Sequence, residues 1–386
     1  MELSIKRSVL LEGIQKTLSI TEKKATMPIL NNVLLKAKNG MLTMIATDLS
    51  ISLIAEYEAK VRQEGQATIN ARKLHEITKE ADGDDVHITL HENNSFKIRA
   101  GKSVYKMSGL PADEFPSMAD IKGNEKYYDL KGSVMVGLIN GTAFAVAPEA
   151  DIARKQLTGV LLETSKKENG NEWNMVGTDG HRLAMVKDTT ESECPDIGKG
   201  VIIPRRGLAE IKKMAAGSDT IGLALNNNMI VAKAGATILK VNLIDGTYPE
   251  YKRIIPVKNG NRVTLDKDSF LHALKRMNVV SSERYCGVVL SISANTMKLV
   301  SENPDVGEAM EEVDAAYAGD DKTIGVNVNY MIDSITAIPS KSIVLEIEEG
   351  AKPILVKPAE GDEYLGVVMP LMLPNAKPVA PEIKAA

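Results

Sequence analysis

"INARKLHEI", residues 69–77, returns 134 positions later as "IPRRGLAEI", residues 203–211, with five of its nine letters unchanged. A fainter third copy, "VNVNYMIDS" from Val326, stands a further 123 positions on. Self-similarity at a fixed spacing decides an architecture before any single element does. The test is whether other landmarks keep the same spacing.

Three more do. Lys-x-Ser followed by two apolar residues occurs as "KRSVL" at Lys6, "KGSVM" at Lys131 and "KDSFL" at Lys267, with Ser8, Ser133 and Ser269 at spacings of 125 and 136. An apolar run closed by a hydroxyl residue and an acid occurs as "IATDLSISLIA" around Thr47, "VGTDGHRLAMV" around Thr178 and "LVSENPDVGEAM" around Ser301, at 131 and 123. An aromatic or apolar residue precedes proline at Phe115, Tyr248 and Met369, at 133 and 121. Four landmarks in one order define three copies of a unit of about 125 residues, long enough for each to hold its own core. The Gly/Asn/Lys-rich stretches at 121–126 and 256–262 mark the joints. The expected domains are 1–124, 125–256 and 257–373. The Pro/Ala-rich 374–386 is expected to be a disordered tail.

Within a unit the pattern is mixed. Ser8, Ser133 and Ser269 are expected as helix N-caps. Helices are expected over 6–20, 71–80, 131–146, 204–216, 267–280 and 327–339. Short β runs such as "NNVLLKA", "MLTMIATD" and "VHITLHE" lie between turn signals. Two helices and about eight strands per unit make an α+β protein with large antiparallel sheets.

Composition narrows the class. The chain has 386 residues, is 44% hydrophobic and 25% charged, and carries a net charge of −4, so it is not basic overall as most nucleic-acid binders are. The two cysteines, Cys194 and Cys286, are far apart and form no CxxC, which fits a reducing cytoplasm and argues against a disulfide framework or zinc ribbon. The N-terminus lacks the apolar run of a signal peptide, and no window is long and apolar enough to span a membrane.

The stretch Thr178-Asp179-Gly180-His181-Arg182 resembles a catalytic loop. In the repeat frame, however, Thr178-Asp179 matches Thr47-Asp48 and Ser301-Glu302, so the pair reads as a turn whose short polar side chains bond their own backbone. His181 and Arg182 belong to the middle copy alone. The other histidines show no HxH, HExxH or His/Cys spacing, and there is no Walker loop or GxSxG. No metal and no cofactor are expected, and a binding surface peculiar to the middle unit is favoured over a hydrolase acting through Asp179 and His181. The six expected helices hold 14 basic against 6 acidic residues, so the helices are basic and the remainder acidic. The basic residues are not interleaved with aromatics. That favours diffuse contact with a polyanion backbone over base stacking.

"TDGHRLA" at 178–184, "YPEYKRIIP" at 248–256, "FPSM" after "GLPADE" and "VVMPLML" at 367–373 resemble the bacterial sliding clamp family, the β subunit of DNA polymerase III. The resemblance covers roughly residues 1–373. It implies a DNA-clamp fold and a head-to-tail homodimer of six similar domains closed into a ring. Helices line the hole, double-stranded DNA passes through without sequence reading, and there is no active site. It further implies a hydrophobic pocket that docks short linear motifs of the replicative polymerase, clamp loader and repair proteins. The matching pocket positions are Leu157, Thr178, Gly180, His181, Arg182, Leu183, Pro249, Arg253, Ile254, Asn327, Tyr330, Val367, Val368, Met369, Pro370 and Leu371. Lys24 and Arg205 match positions that touch DNA, and helix placement adds Arg72, Lys73, Lys212 and Lys213. Val279 and Val280 match the interface between chains, facing Leu74 and Ile77. Two departures stand out. Met372 precedes Leu373 where the family commonly has a basic residue, and the tail runs past the usual end. An ordinary basic-surface DNA binder is the remaining alternative.

Overall fold

The computed structural model describes residues 1–21, 27–116, 125–226, 228–256, 261–281, 286–348 and 352–371. These hold six α-helices: α1 (Arg7–Leu18), α2 (Ala71–Glu80), α3 (Gly132–Asn140), α4 (Arg205–Ala216), α5 (Lys267–Met277) and α6 (Val328–Thr336). They also hold 25 strands, nine in the first third of the chain and eight in each of the others, as the repeat predicts. Among the described residues no helix is long and apolar enough to cross a membrane. Lys24, Met372, Leu373 and the tail 374–386 lie outside the described residues, as do parts of both expected joints.

The chain forms two compact units, and their boundary cuts through the middle repeat. One is Met1–Ser133 with Arg206–Leu243, the other Val134–Arg205 with Ile244–Ala386. Sheet pairing is the cause. In the first unit, Thr237–Asn242, the last strand of the middle repeat, pairs antiparallel with Ile51–Glu58 of the first repeat. That pairing completes an eight-stranded sheet. A five-stranded sheet ends on Ser103–Ser108. Leu10 and Ile14 of α1 and Leu74 of α2 pack into one core with Val33, Leu35, Ile69, Val86 and Phe96.

In the second unit the same join recurs one repeat later. Tyr364–Val368, the last strand of the third repeat, pairs with Arg182–Thr190 of the middle repeat. The result is a twelve-stranded sheet. Phe270, Leu274, Met331 and Ile335 from α5 and α6 pack on its inner residues, among them Leu290, Leu299, Leu345 and Val368.

Several local expectations change. The serines of the Lys-x-Ser landmark are not N-caps. Lys6 holds the cap position of α1 without a side-chain bond, and α3 begins at Gly132, before Ser133. At α5 the cap is Asp266, whose Oδ1 accepts from the Ser269 amide at 2.8 Å. A serine already inside the first turn has helical dihedrals, and its hydroxyl cannot reach the amides a cap serves. The true shared caps are asparagines. Asn70 Oδ1 accepts from Lys73 N at 3.0 Å, and Asn327 Oδ1 accepts from Asn329 N at 2.9 Å. That makes the faint third copy at 326–334 a genuine one. Helix α3 stops at Asn140 rather than 146. Gly141 follows it, and the chain tightens into a short 3-10 turn, Ala143–Ala145. Helix α5 stops at Met277, leaving Val279 and Val280 beyond its end. With these bounds Lys6 and Lys131 precede their helices, and the six helices carry 12 basic against 6 acidic residues.

Candidate functional site

The Thr-Asp turns of the first two repeats are the same structure. Thr178 Oγ1 accepts from Gly180 N at 3.1 Å and donates to the Arg182 carbonyl at 2.6 Å, while Thr47 Oγ1 accepts from Leu49 N and donates to the Ile51 carbonyl, both at 3.0 Å. Asp179 Oδ1 accepts from the amides of His181 and Arg182 at 2.9 and 3.0 Å, and Asp48 Oδ1 accepts from those of Ser50 and Ile51. Both turns need a left-handed residue: Gly180 at φ 90° and Leu49 at φ 76°. Glycine meets that need without a Cβ penalty. The third repeat departs, because Ser301 pairs with Ala309 across a longer hairpin and Asn303 Oδ1 takes the Asp305 amide.

Asp179 is therefore occupied as a turn residue. Its second oxygen, Oδ2, lies 3.1 Å from Arg182 Nε. Arg182 goes on to Asp333 Oδ2 of α6 at 2.5 Å and to the Phe144 carbonyl at 2.7 Å. Its guanidinium also lies 4.5 Å from the Tyr330 ring centre. The His181 ring stacks on Tyr330 at 6.5 Å between centroids and is exposed. Among the described residues no cluster of His, Cys, Asp or Glu is placed to hold a metal. The arrangement braces two repeats and presents an imidazole face. It assembles no nucleophile–base pair.

Sheet alternation then divides the expected pocket residues. Leu183 and Val367 are cross-strand partners, and they lie in a buried stripe with Leu161, Val176, Ile202, Leu355 and Leu365. Their neighbours Ala184 and Val368 face the helices in the other core. Successive strand residues point to opposite faces, so Val368 is a core residue and its side chain forms no pocket wall. Arg182 turns to the same side, toward α6.

A strap, residues 246–255, crosses the stripe. Tyr248, Tyr251 and Ile255 pack down on it. Tyr248 OH donates to the Val176 carbonyl at 3.1 Å, and Tyr251 OH to Glu163 Oε2 at 2.6 Å. Burial pushes both phenols above their usual range, and for Tyr251 the Glu163 carboxylate adds to the effect. Both therefore remain donors. Pro249, Arg253 and Ile254 stay exposed on the strap, and Leu157 is buried. The chain end is held beside the turn: Met369 N donates to the His181 carbonyl at 3.0 Å, and Leu371 N to the Gly325 carbonyl at 2.8 Å. Met369, Pro370 and Leu371 are half-buried. Asn327, besides capping α6, donates to Cys286 Sγ at 3.1 Å.

The expected DNA-contacting residues Arg72, Lys73, Arg205 and Lys213 are exposed and Lys212 is half-buried. Lys73 and Lys213 are each paired at 2.7 Å, with Glu76 and Glu210. Their field at a distance is reduced accordingly. Of the expected interface residues, Val279 is 78% exposed. Val280 and Ile77 are half-buried. Leu74 is 0% exposed inside its own core, so it cannot meet another chain.

Three family models match in succession: the DNA polymerase III beta subunit N-terminal domain over residues 1–119, its central domain over 129–250 and its C-terminal domain over 252–372. The chain belongs to this family. The clamp chain is 32% identical to the beta sliding clamp of Pseudomonas aeruginosa, over 97% of its own length and 100% of the relative's. It superposes with a TM-score of 0.91 on a crystal structure of the Caulobacter crescentus beta sliding clamp, at 31% identity, covering 97% of this chain and 99% of that one. A Pseudomonas aeruginosa clamp bound to griselimycin superposes at 0.89 and 32% identity, covering 97% and 100%. The clamp's sequence gave no sign of Asp333 as the partner of Arg182, nor of the Glu163–Asn174–Tyr251 cluster under the strap.

Proposed function

We propose that the clamp closes head to tail with a second copy into a ring around double-stranded DNA and tethers the replicative polymerase, clamp loader and repair proteins by short peptides docked at the strap. It acts as a processivity factor without an active site of its own. Retention is topological, so the basic helices need only centre the duplex by long-range attraction and leave it free to slide.

The observation that carries the ring is a join made twice within the chain and left open once. The strand after the Thr-Asp turn pairs with the last strand of the next repeat at Leu53 opposite Leu239, and again at Ala184 opposite Gly366. In the third repeat the strand after the turn is Gly307–Ala316, whose other side is bonded only at Ala315 and Ala316, and the first-repeat counterpart of Thr237–Asn242 is Ser103–Ser108. Ser103–Ser108 is the edge of its sheet. Met310 on the one strand is 41% exposed and Val104 on the other 51%. Apolar residues at two unpaired edges are a liability unless they pair. Pairing them between two copies, Gly307–Ala316 against Ser103–Ser108, repeats the internal join and closes a heterologous ring. Ile77 follows the same logic: it is half-buried, while its repeat equivalent Ile211 is 1% exposed.

For docking, two or three apolar anchors at about 1.5–3 kcal/mol each, less ordering costs, give micromolar binding, which suits partners that exchange. The deciding experiment loads the protein on closed circular DNA and then cuts the circle. A ring stays on the circle in high salt and runs off the linear product. Salt-sensitive binding that ignores the cut would identify an ordinary DNA binder instead.

A further inference from the structure

The strap has two sides. One faces the His181 turn and the chain end. The other overhangs a hollow of about 530 Å³ that no reading above uses. We propose that this hollow is a second docking subsite, contiguous with the first, for an acidic residue next to an aromatic one in the flank of a partner's docking peptide. It rests on the docking reading and extends it.

Its floor is apolar. Leu161 and Ile202 are each 3% exposed, and Tyr248 and Tyr251 cover them from the strap. The volume falls in the range that buries one or two large side chains. Gly200 holds the wall open at φ 86°, where a Cβ would stand 2.7 Å from the Leu162 carbonyl oxygen. The polar groups are sorted by depth. Glu163, at the bottom, is engaged by the Tyr251 hydroxyl at 2.6 Å and by Asn174 Nδ2 at 2.9 Å. At the rim Arg253 is held by Glu250 at 2.5 Å. Lys199 and Lys252 are exposed there, Lys252 standing 5.7 Å from the Tyr251 ring centre. An aromatic ring fits the floor and a carboxylate faces the two lysines, the usual division between apolar centre and polar rim. Continuity comes from Pro249 and Arg253. Both line the hollow and both are docking residues, so a peptide leaving the first site over the strap enters the second.

The test uses the full chain and two probes: griselimycin, and the tripeptide acetyl-(5-fluoro-Trp)-Asp-Asp-amide followed by fluorine NMR. Saturable tripeptide binding is expected with griselimycin already bound. Lys199→Glu with Lys252→Glu should weaken it about fivefold or more, and Thr247→Trp, at the lip, should abolish it. Neither variant should change griselimycin affinity. Displacement of the tripeptide by griselimycin, indifference to both variants or no saturable binding would each overturn the inference. Failure of griselimycin itself to bind would overturn the docking reading on which it stands.

Discussion

Arg182 Nη1 stands 2.5 Å from Asp333 Oδ2, which ties the turn of the middle repeat to a helix of the third. The two ends of this bond are not equal. The Arg182 side chain is 11% exposed and that of Asp333 43%. Arg182→Ala strands Asp179 and the Phe144 carbonyl and should cost about 2–4 kcal/mol. Asp333→Asn, at the wetter end, should cost less than about 1 kcal/mol. Urea unfolding of both variants measures the order, and a reversed order would contradict the account of Arg182 as a brace.

His181 offers a ring face stacked on Tyr330. His181→Ala should weaken griselimycin binding about three- to tenfold and leave DNA retention intact. Loss of retention on circular DNA would show that the turn does more than dock peptides.

Met310→Asp places a charge on the strand that the ring reading pairs with Ser103–Ser108 of a second copy. The dimer dissociation constant should rise by about 100-fold, read by sedimentation, while Met310→Leu stays close to the parent. A dimer unaffected by the aspartate would remove the proposed pairing.

Arg205→Glu combined with Lys213→Glu tests the basic helices. In binding to linear DNA, the slope of log affinity against log salt should flatten by about 0.9 for each phosphate no longer neutralised. An unchanged slope would place these residues away from the duplex.

Arg276 binds Glu311 through two hydrogen bonds, Nε to Oε2 at 2.7 Å and Nη2 to Oε1. The hydrogen bond to Arg276 holds the Glu311 carboxyl below its ordinary range. Because the folded value is depressed, the pair stabilises the folded chain above about pH 4.3. That contribution fades as pH falls through the folded value. Arg276→Ala should move the Glu311 titration up toward the ordinary range in carboxyl NMR.

Much of this was legible in the letters. The three repeats, two helices in each, and the turn role of Asp179 follow from landmarks that recur at matched spacing, since each copy must satisfy the same backbone. Ser8, Ser133 and Ser269 were misplaced because a cap depends on where the helix begins, and a shift of one or two residues changes which side chain can reach the free amides. Leu74 and Val368 were misassigned for a related reason: position along the chain identifies a neighbourhood, but the face a side chain takes depends on pairing and packing. Val367 and Val368 differ by one letter position and serve opposite sides of the sheet.

The sequence by itself determined the periodic plan of this protein, because capping, turn chemistry and apolar alternation are local and act within a few residues. Only the tertiary structure decided which repeats share a sheet, that Arg182 spends its charge on Asp333 and the Phe144 carbonyl, and that Ser103–Ser108 is left at the edge of its sheet. Those outcomes depend on groups 151 positions apart for Arg182 and Asp333 and 190 for the strand partners Ile51 and Val241, and short-range patterns carry no information about contacts at that separation.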